Sequence, residues 1–426
     1  MKEIKLKGLD ISCYTEKLKN GLEVICVPYS DKKNYFISYA TRFGSDTNRF
    51  IPIGKNKEVK VPDGIAHFLE HKMFAQEDGT DPFSFFSDSG TGSNASTSFD
   101  NTQYICYGTK KFEENLRYLL KFVNMPYYTD ENVEKEKGII AEEIKMYDDV
   151  PEWKLEDKLR ENIYHKYARR IDIGGTVEEI NKITKEDLYL CYDNFYQPNN
   201  MFVLIVGNFN KEKALEIIHN EVDKIKNKSK PKINKIKEEK TVHKKNEVIN
   251  VNINIPKIGM GLKIYRPNIS EKDELILDLY LEMLTGITFG SSSEFRERVR
   301  LRKILNNIYM QWETTDDYRC FLLSASTPDP DSLIKEINDT FNNLNITDEE
   351  LSRMKKVWIA NEVKMIDYID STVNNIYDDI IRYKKVIGNK IDLIRNLSLD
   401  ELNAIISQID FTNIAIIKMI PKEKTN

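Results

Sequence analysis

His67, Glu70 and His71 stand in the run His67-Phe68-Leu69-Glu70-His71. On a helix, positions i, i+3 and i+4 share a face, so both imidazoles can grip one ion with the carboxylate beside them. H-x-x-E-H is the inverted order of the H-E-x-x-H arrangement that seats zinc on one side of a helix. The chain has only five histidines, so two of them at this spacing are a specific signal. The bland alternative is a pair of core or surface histidines with an acidic neighbour, or a stray metal affinity without catalysis.

A catalytic zinc ion takes three protein ligands in a tetrahedral array and leaves the fourth position open for water, so a third ligand must come from elsewhere. The best source is DENVEKEKGIIAEEIKMYDD, residues 130–149. There Asp130 can cap a helix whose apolar stripe is Val133, Ile139, Ile140, Ile144, Met146 and Tyr147. At about 100° per residue, Glu143 falls within roughly 40° of the centre of that stripe, whereas Glu142 lies to one side. Glu136, seven positions earlier, shares the face of Glu143. Carboxylates aimed into a core without partners cost several kcal/mol, which points to a cation or hydrogen-bond donors there. The expected metal ligands are His67, His71 and Glu143, with Glu136 supporting a ligating histidine or the Glu143 turn. Zinc held in this way brings the pKa of its water to about 7, and manganese or cobalt would suit the same donors. Glu70 is then left to take the water proton and return it to a leaving amine.

The elements that must position these residues are mixed. At 426 residues, two domains of similar size are expected. The boundary is the lysine-dense stretch KIKNKSKPKINKIKEEKTVHKKNE around Pro231, giving domains at 1–225 and 247–426 and a linker at 226–246. A solvated linker is the simple reading of that stretch, and a basic patch for an acidic partner is the alternative. Each half closes alike, in ITKEDLYLCYDNFYQPNNMFVLIVGNFNKE and in LSLDELNAIISQIDFTNIAIIKMIPKE. In each, a helix cap (Thr184 with Asp187, Ser398 with Glu401) leads through a turn into an apolar strand, the mark of an internal duplication. Strands are expected at Leu22–Val27, Tyr35–Thr41, Gln103–Tyr107, Val248–Ile253 and Tyr318–Ser326. Helices are expected at Ile65–Phe74, Glu113–Val123, Glu131–Tyr147, Trp153–Ile163, Lys272–Leu284 and Asp348–Ile366. The fold class is therefore α+β, as two homologous domains.

Cys13, Cys26, Cys106, Cys191 and Cys320 are odd in number and lack a C-x-x-C pair, which argues against disulfides and a thiolate zinc knuckle. A net charge of -5 gives no reason to invoke nucleic acid. The start of the chain has no apolar core of a signal peptide, and no apolar run approaches the ~20 residues that span a bilayer, so a cytoplasmic protein with no membrane partner is expected.

GIAHFLEHKMF followed by VEKEKGIIAEEIKMYDD resembles the insulinase or pitrilysin family of zinc peptidases, family M16, especially its short bacterial members. The likeness extends through GSNASTSFDNTQYICYG, RIDIGGTVEEINKIT and FVLIVGNFN. It implies two α+β domains, each a mainly antiparallel sheet flanked by helices, that enclose a chamber with a second chain. Matched by position, it places the ligands on His67, His71 and Glu143, the base on Glu70 and a supporting acid on Glu136. It also places a substrate-binding strand about Asn94 and Ala95. GSNASTSF alternates small and polar residues, as suits an edge strand to which an extended peptide can add; an ordinary loop is the alternative.

In the second half, Arg302 and Tyr309 have the spacing of an arginine and a tyrosine that contact substrate in many family members. The surrounding residues match that motif poorly, so a helix-surface charge and a strand aromatic are the alternative. This half lacks H-x-x-E-H. The assembly implied is a homodimer, or a heterodimer with a related chain that holds the arginine and tyrosine. The function expected is a zinc endopeptidase acting on peptides, and the alternative is a non-catalytic peptide-binding or assembly subunit. His165, His219 and His243 receive no role, Gly174-Gly175 reads as a turn before a Thr176 cap, and Trp153, Trp312 and Trp358 read as core.

Overall fold

The computed structural model describes residues 1–226, 228–266 and 274–422, which divide into two compact units. Unit 1 holds the described residues of 1–145, 171–235 and 363–389, and unit 2 those of 146–170, 236–362 and 390–426.

Unit 1 contains strands β1 (Lys2–Lys5), β2 (Ser12–Lys17), β3 (Glu23–Pro28), β4 (Tyr35–Thr41), β5 (Arg49–Phe50), β6 (Val59–Lys60), β7 (Gly92–Thr97), β8 (Thr102–Gly108) and β9 (Met201–Gly207). β5 and β6 pair with each other, and the rest form one sheet in the order β1-β2-β3-β9-β4-β8-β7. The β3–β9 ladder is parallel and the other ladders are antiparallel. β9 is buried at every residue, so MFVLIVG shows no alternation of apolar and polar side chains. β7, made of small and polar residues, forms an edge of the sheet.

Helices α1 (Ile65–Lys72) and α2 (Pro82–Asp88) precede β7 in the chain, and α3 (Phe112–Val123) and α4 (Asp130–Asp148) follow β8. Phe68, Leu69, Phe86, Leu116, Leu120, Val133 and Ile140 pack with Val24, Ile37, Tyr39, Val203 and Ile205 of the sheet in one core. The opposite face, with Ile25, Val27, Phe202 and Leu204, is covered by Ile369, Val373, Ile376 and Ile380 of the helix Ile369–Tyr383.

Unit 2 contains β10 (Asn246–Val251), β11 (Lys257–Tyr265), β12 (Asn307–Thr314), β13 (Tyr318–Ser326) and β14 (Ile414–Pro421), in the order β10-β14-β11-β13-β12. This repeats β3-β9-β4-β8-β7 strand for strand, with the parallel ladder, β10 to β14, in the same place. Two α+β units of related topology follow. Thr184 and Ser398 cap equivalent helices that lead into β9 and β14.

One sheet face of unit 2 is covered by α5 (Pro151–Ile163), whose Leu155, Leu159 and Ile163 pack with Cys320, Leu322, Ala415 and Ile417. A Cβ at Gly261 of β11 would lie 2.3 Å from Ile163 Cδ1, so the glycine leaves room for the Ile163 side chain against the strand. Each unit thus takes a covering helix from the other half of the sequence, and both helices cross the contiguous division expected at 226–246. The reason is burial: a sheet with two apolar faces needs two helical layers, and these come from wherever the chain returns.

Other local expectations are corrected. The lysine-rich stretch is not a free linker, because Ile51 forms a bridge with Lys232 while Glu238 and Val242 are buried in unit 2. Thr129, not Asp130, caps α4, through reciprocal bonds with Asn132 at 3.1 Å each. Ile139, Met146 and Tyr147 of the expected apolar stripe are exposed, as is Trp153 at 53%. The helix expected from Lys272 starts at Glu274 among described residues; Lys272 and Asp273 lie outside them. Among the described residues no helix is long and apolar enough to cross a membrane.

Candidate active site

The turn Pro62-Asp63-Gly64 leads into α1, with Gly64 at φ 88°. A Cβ there would meet the Gly174 carbonyl oxygen at 2.3 Å, and one at Gly175 would meet that of Asp63 at 2.5 Å. Two backbone stretches therefore touch directly, and only glycine permits it at both positions. Beyond them Thr176 caps the short helix Val177–Ile180 by accepting from Glu179 N. On α1, Phe68 and Leu69 anchor one side in the core, which turns His67, Glu70 and His71 toward α4 and β7.

Glu143 reaches this face from α4, whereas the Glu142 side chain is 75% exposed and bonds Lys145. Glu143 Oε1 lies 3.8 Å from His67 Nε2, and Oε2 lies 3.3 Å from His71 Nε2. One ligand atom from each of the three residues lies within 4.8 Å of the others, and no other such group of three occurs among the described residues. Ligands bound at about 2.0–2.2 Å in a tetrahedron stand roughly 3.3–3.5 Å apart, so this donor set fits a zinc ion after small side-chain adjustments. Burial, and then the neighbouring His71, push the His67 imidazole down to about 4, leaving it neutral with a free lone pair near pH 7. Among the described residues, His67 Nδ1 is buried without a hydrogen-bond partner, so none of their carboxylates fixes its tautomer from that side.

His71 is held differently. Its Nδ1 meets Glu136 Oε1 at 3.1 Å, and Lys72 Nζ donates to Glu136 Oε2 at 3.1 Å. Burial lowers the affinity of His71 for a proton, but the Glu136 hydrogen bond and the charges of Glu70, Glu136 and Glu143 outweigh it, and the imidazole sits above its ordinary range. Burial raises the Glu136 carboxyl, and His71 and Lys72 overcome this to hold it low.

Glu70 stays out of the trio of converging donors. Its Oε2 accepts from Thr97 Oγ1 of β7 at 2.6 Å. Burial pushes its carboxyl above the ordinary range, against the hydrogen bond from Thr97. Asn94 and Ala95 lie on the same edge strand, where the Asn94 side-chain oxygen accepts from Ala95 N at 2.9 Å. Arg302 and Tyr309 belong to unit 2. Arg302, at the end of the helix Glu294–Leu301, pairs with Glu336 at 2.7 Å, and Tyr309 is 57% exposed on the edge strand β12.

Lys72 and Thr97 escaped sequence reasoning. Each stood inside a quoted motif, and the signal available was a lysine directly after the second histidine and a hydroxyl at the end of the small-residue strand. His219 does have an acid one helical turn away, pairing with Asp223 at 2.8 Å, while His165 and His243 face each other through Nδ1 atoms 3.3 Å apart.

Residues 45–176, which include the whole His67, His71 and Glu143 cluster, match the family described as Insulinase (Peptidase family M16). Residues 182–357 match the Peptidase M16 inactive domain. The chain belongs to peptidase family M16. It is 35% identical over 442 positions to the uncharacterized zinc protease YmfH of Bacillus subtilis, covering 99% of this chain and 100% of that protein. Zinc protease PqqE of Helicobacter pylori is 25% identical, over 79% of this chain and 76% of that one. Among solved structures, an M16-like peptidase from Alicyclobacillus acidocaldarius superimposes with a TM-score of 0.92 at 29% identity, covering 98% of this chain and 100% of that one.

Proposed function

We propose that this chain is a zinc-dependent endopeptidase that takes an extended peptide along β7 and hydrolyses it with Glu70 as general base. The observation that carries this reading is the convergence of His67, His71 and Glu143 within 4.8 Å beside the buried carboxylate of Glu70, which stays outside that trio. Zinc relatives in the same family support it. His67, His71 and Glu143 would hold the ion, which supplies a polarised carbonyl and a water acidic enough to ionise near neutrality. Glu70 accepts the proton of the attacking water and returns it to the leaving amine, and its burial keeps its basicity suited to that exchange.

The edge of β7 offers backbone hydrogen bonds that do not depend on the side chains of a peptide strand, so binding there is tolerant of sequence. The Asn94 side chain, which covers Ala95 N–H, has to swing away for a strand to add. The test is Glu70→Gln in the zinc-loaded protein, with digestion of a mixed peptide library as readout. It is expected to keep zinc and circular dichroism and to lose at least about 100-fold in cleavage. Unchanged turnover would assign the activity to another site or a contaminant. A wild-type protein that binds peptides and zinc but cleaves nothing would favour the non-catalytic reading.

A further inference from the structure

Lys72 is a cation in a place where the helix otherwise buries apolar side chains: its residue is 5% exposed, next to Phe68, Leu69 and Met73 at 0%. Taking an ammonium out of water is unfavourable unless a partner compensates, and here the partner is Glu136, whose side chain is 14% exposed. Residues 71 and 72 project about 100° apart around α1. The Glu136 carboxylate enters between them and binds both, Oε1 facing His71 Nδ1 and Oε2 accepting from Lys72 Nζ, each at 3.1 Å.

We propose that Lys72 is a positioning residue for the metal centre. It fastens one oxygen of Glu136 so that the other is presented to His71 Nδ1 and cannot rotate away. A carboxylate fixed there selects the tautomer and ring direction that turn His71 Nε2 toward Glu143, 3.3 Å away. Lys72 also keeps Glu136 engaged, so that only Glu143 offers a carboxylate to the ion. The inference rests on the metal-centre reading above.

The test is zinc affinity of the metal-free protein, read by competition with a chromophoric chelator, in wild type, Lys72→Met, Lys72→Gln and Lys72→Arg, and in Glu136→Gln with and without Lys72→Met. Wild type is expected to take up one zinc, and failure to do so would sink the metal-centre reading itself. Lys72→Met is expected to bind about 10-fold more weakly or worse, within the range of outer-shell losses, and Lys72→Arg to recover most of the affinity. In the Glu136→Gln background, adding Lys72→Met is expected to change affinity by less than about threefold, since the group that Lys72 acts through is gone. Wild-type affinity in Lys72→Met, or an equal further loss in the Glu136→Gln background, would overturn the proposal while leaving the zinc centre intact. If Lys72→Met does not fold, Lys72→Gln, which keeps a donor without the charge, carries the same comparison.

Discussion

Thr97 donates a 2.6 Å hydrogen bond to Glu70, joining the last residue of the edge strand β7 to the carboxylate that stands between His67 and His71 on α1. The strand on which a peptide would lie and the base that would act on it are thereby held as one piece. This bond draws on a charged acceptor, and such bonds contribute about 1.5–3 kcal/mol.

Thr97→Val is therefore expected to lower kcat of the zinc-loaded protein about 10-fold or more, with KM changed less, and Thr97→Ser to restore it. A pH profile adds a second readout. Burial holds the Glu70 carboxyl above its ordinary range and the Thr97 bond draws it back, so loss of the hydroxyl moves the acidic limb of kcat/KM to higher pH. An unshifted limb with unchanged kcat would show that Thr97 serves only packing.

Zinc binding to the folded state is expected to raise stability by about 2.7 kcal/mol when free zinc stands 100-fold above the dissociation constant. Calorimetry of Glu143→Ala should lose this zinc-dependent rise in Tm, because the donor set falls to two imidazoles. Chelation of the wild type should abolish cleavage while far-UV circular dichroism persists. The reason is that α1 is held by Phe68 and Leu69 in the core and not by the ion. Unfolding on chelation would make the metal structural.

In unit 2, Lys263 and Glu238 form an ion pair at 2.8 Å with both side chains 0% exposed. Glu238 also accepts from the backbone N–H groups of His165, Lys166 and Tyr167 at 2.7–3.0 Å. Burial alone would raise its carboxyl, but Lys263 and the N–H groups of His165 and Lys166 overcome it and hold it below the ordinary carboxylate range. A carboxyl depressed in the folded state adds stability above its unfolded value and loses it as pH falls through the folded value. Acid unfolding monitored by fluorescence should therefore show a loss below about pH 4.5 that Glu238→Gln removes. Lys263→Met, which leaves the carboxylate without its cation, is expected to cost about 3–5 kcal/mol in denaturant titration at neutral pH.

Much of the centre was legible because it follows local periodicity. His67, Glu70 and His71 share a face by helical spacing alone, and the same arithmetic separated Glu143 from Glu142 although half of the apolar stripe used as its reference is exposed. The repeat was legible too, since Thr184 and Ser398 cap equivalent helices before equivalent strands. Trp153 misled because an aromatic side chain carries no statement of which neighbours will cover it.

From its residues alone the chain determined the spacing of two histidines and a glutamate on one helix face, the carboxylate face that answers it, and a doubled α+β plan, because each is written in intervals of a few positions. Tertiary structure decided that Thr97 and Lys72 would clasp Glu70 and Glu136, that Glu238 would be buried against Lys263, and that each sheet would be covered by a helix from the opposite half. Those pairings join residues distant in the chain, and they are set by which groups must find a partner once water is excluded, a condition that no short-range pattern records.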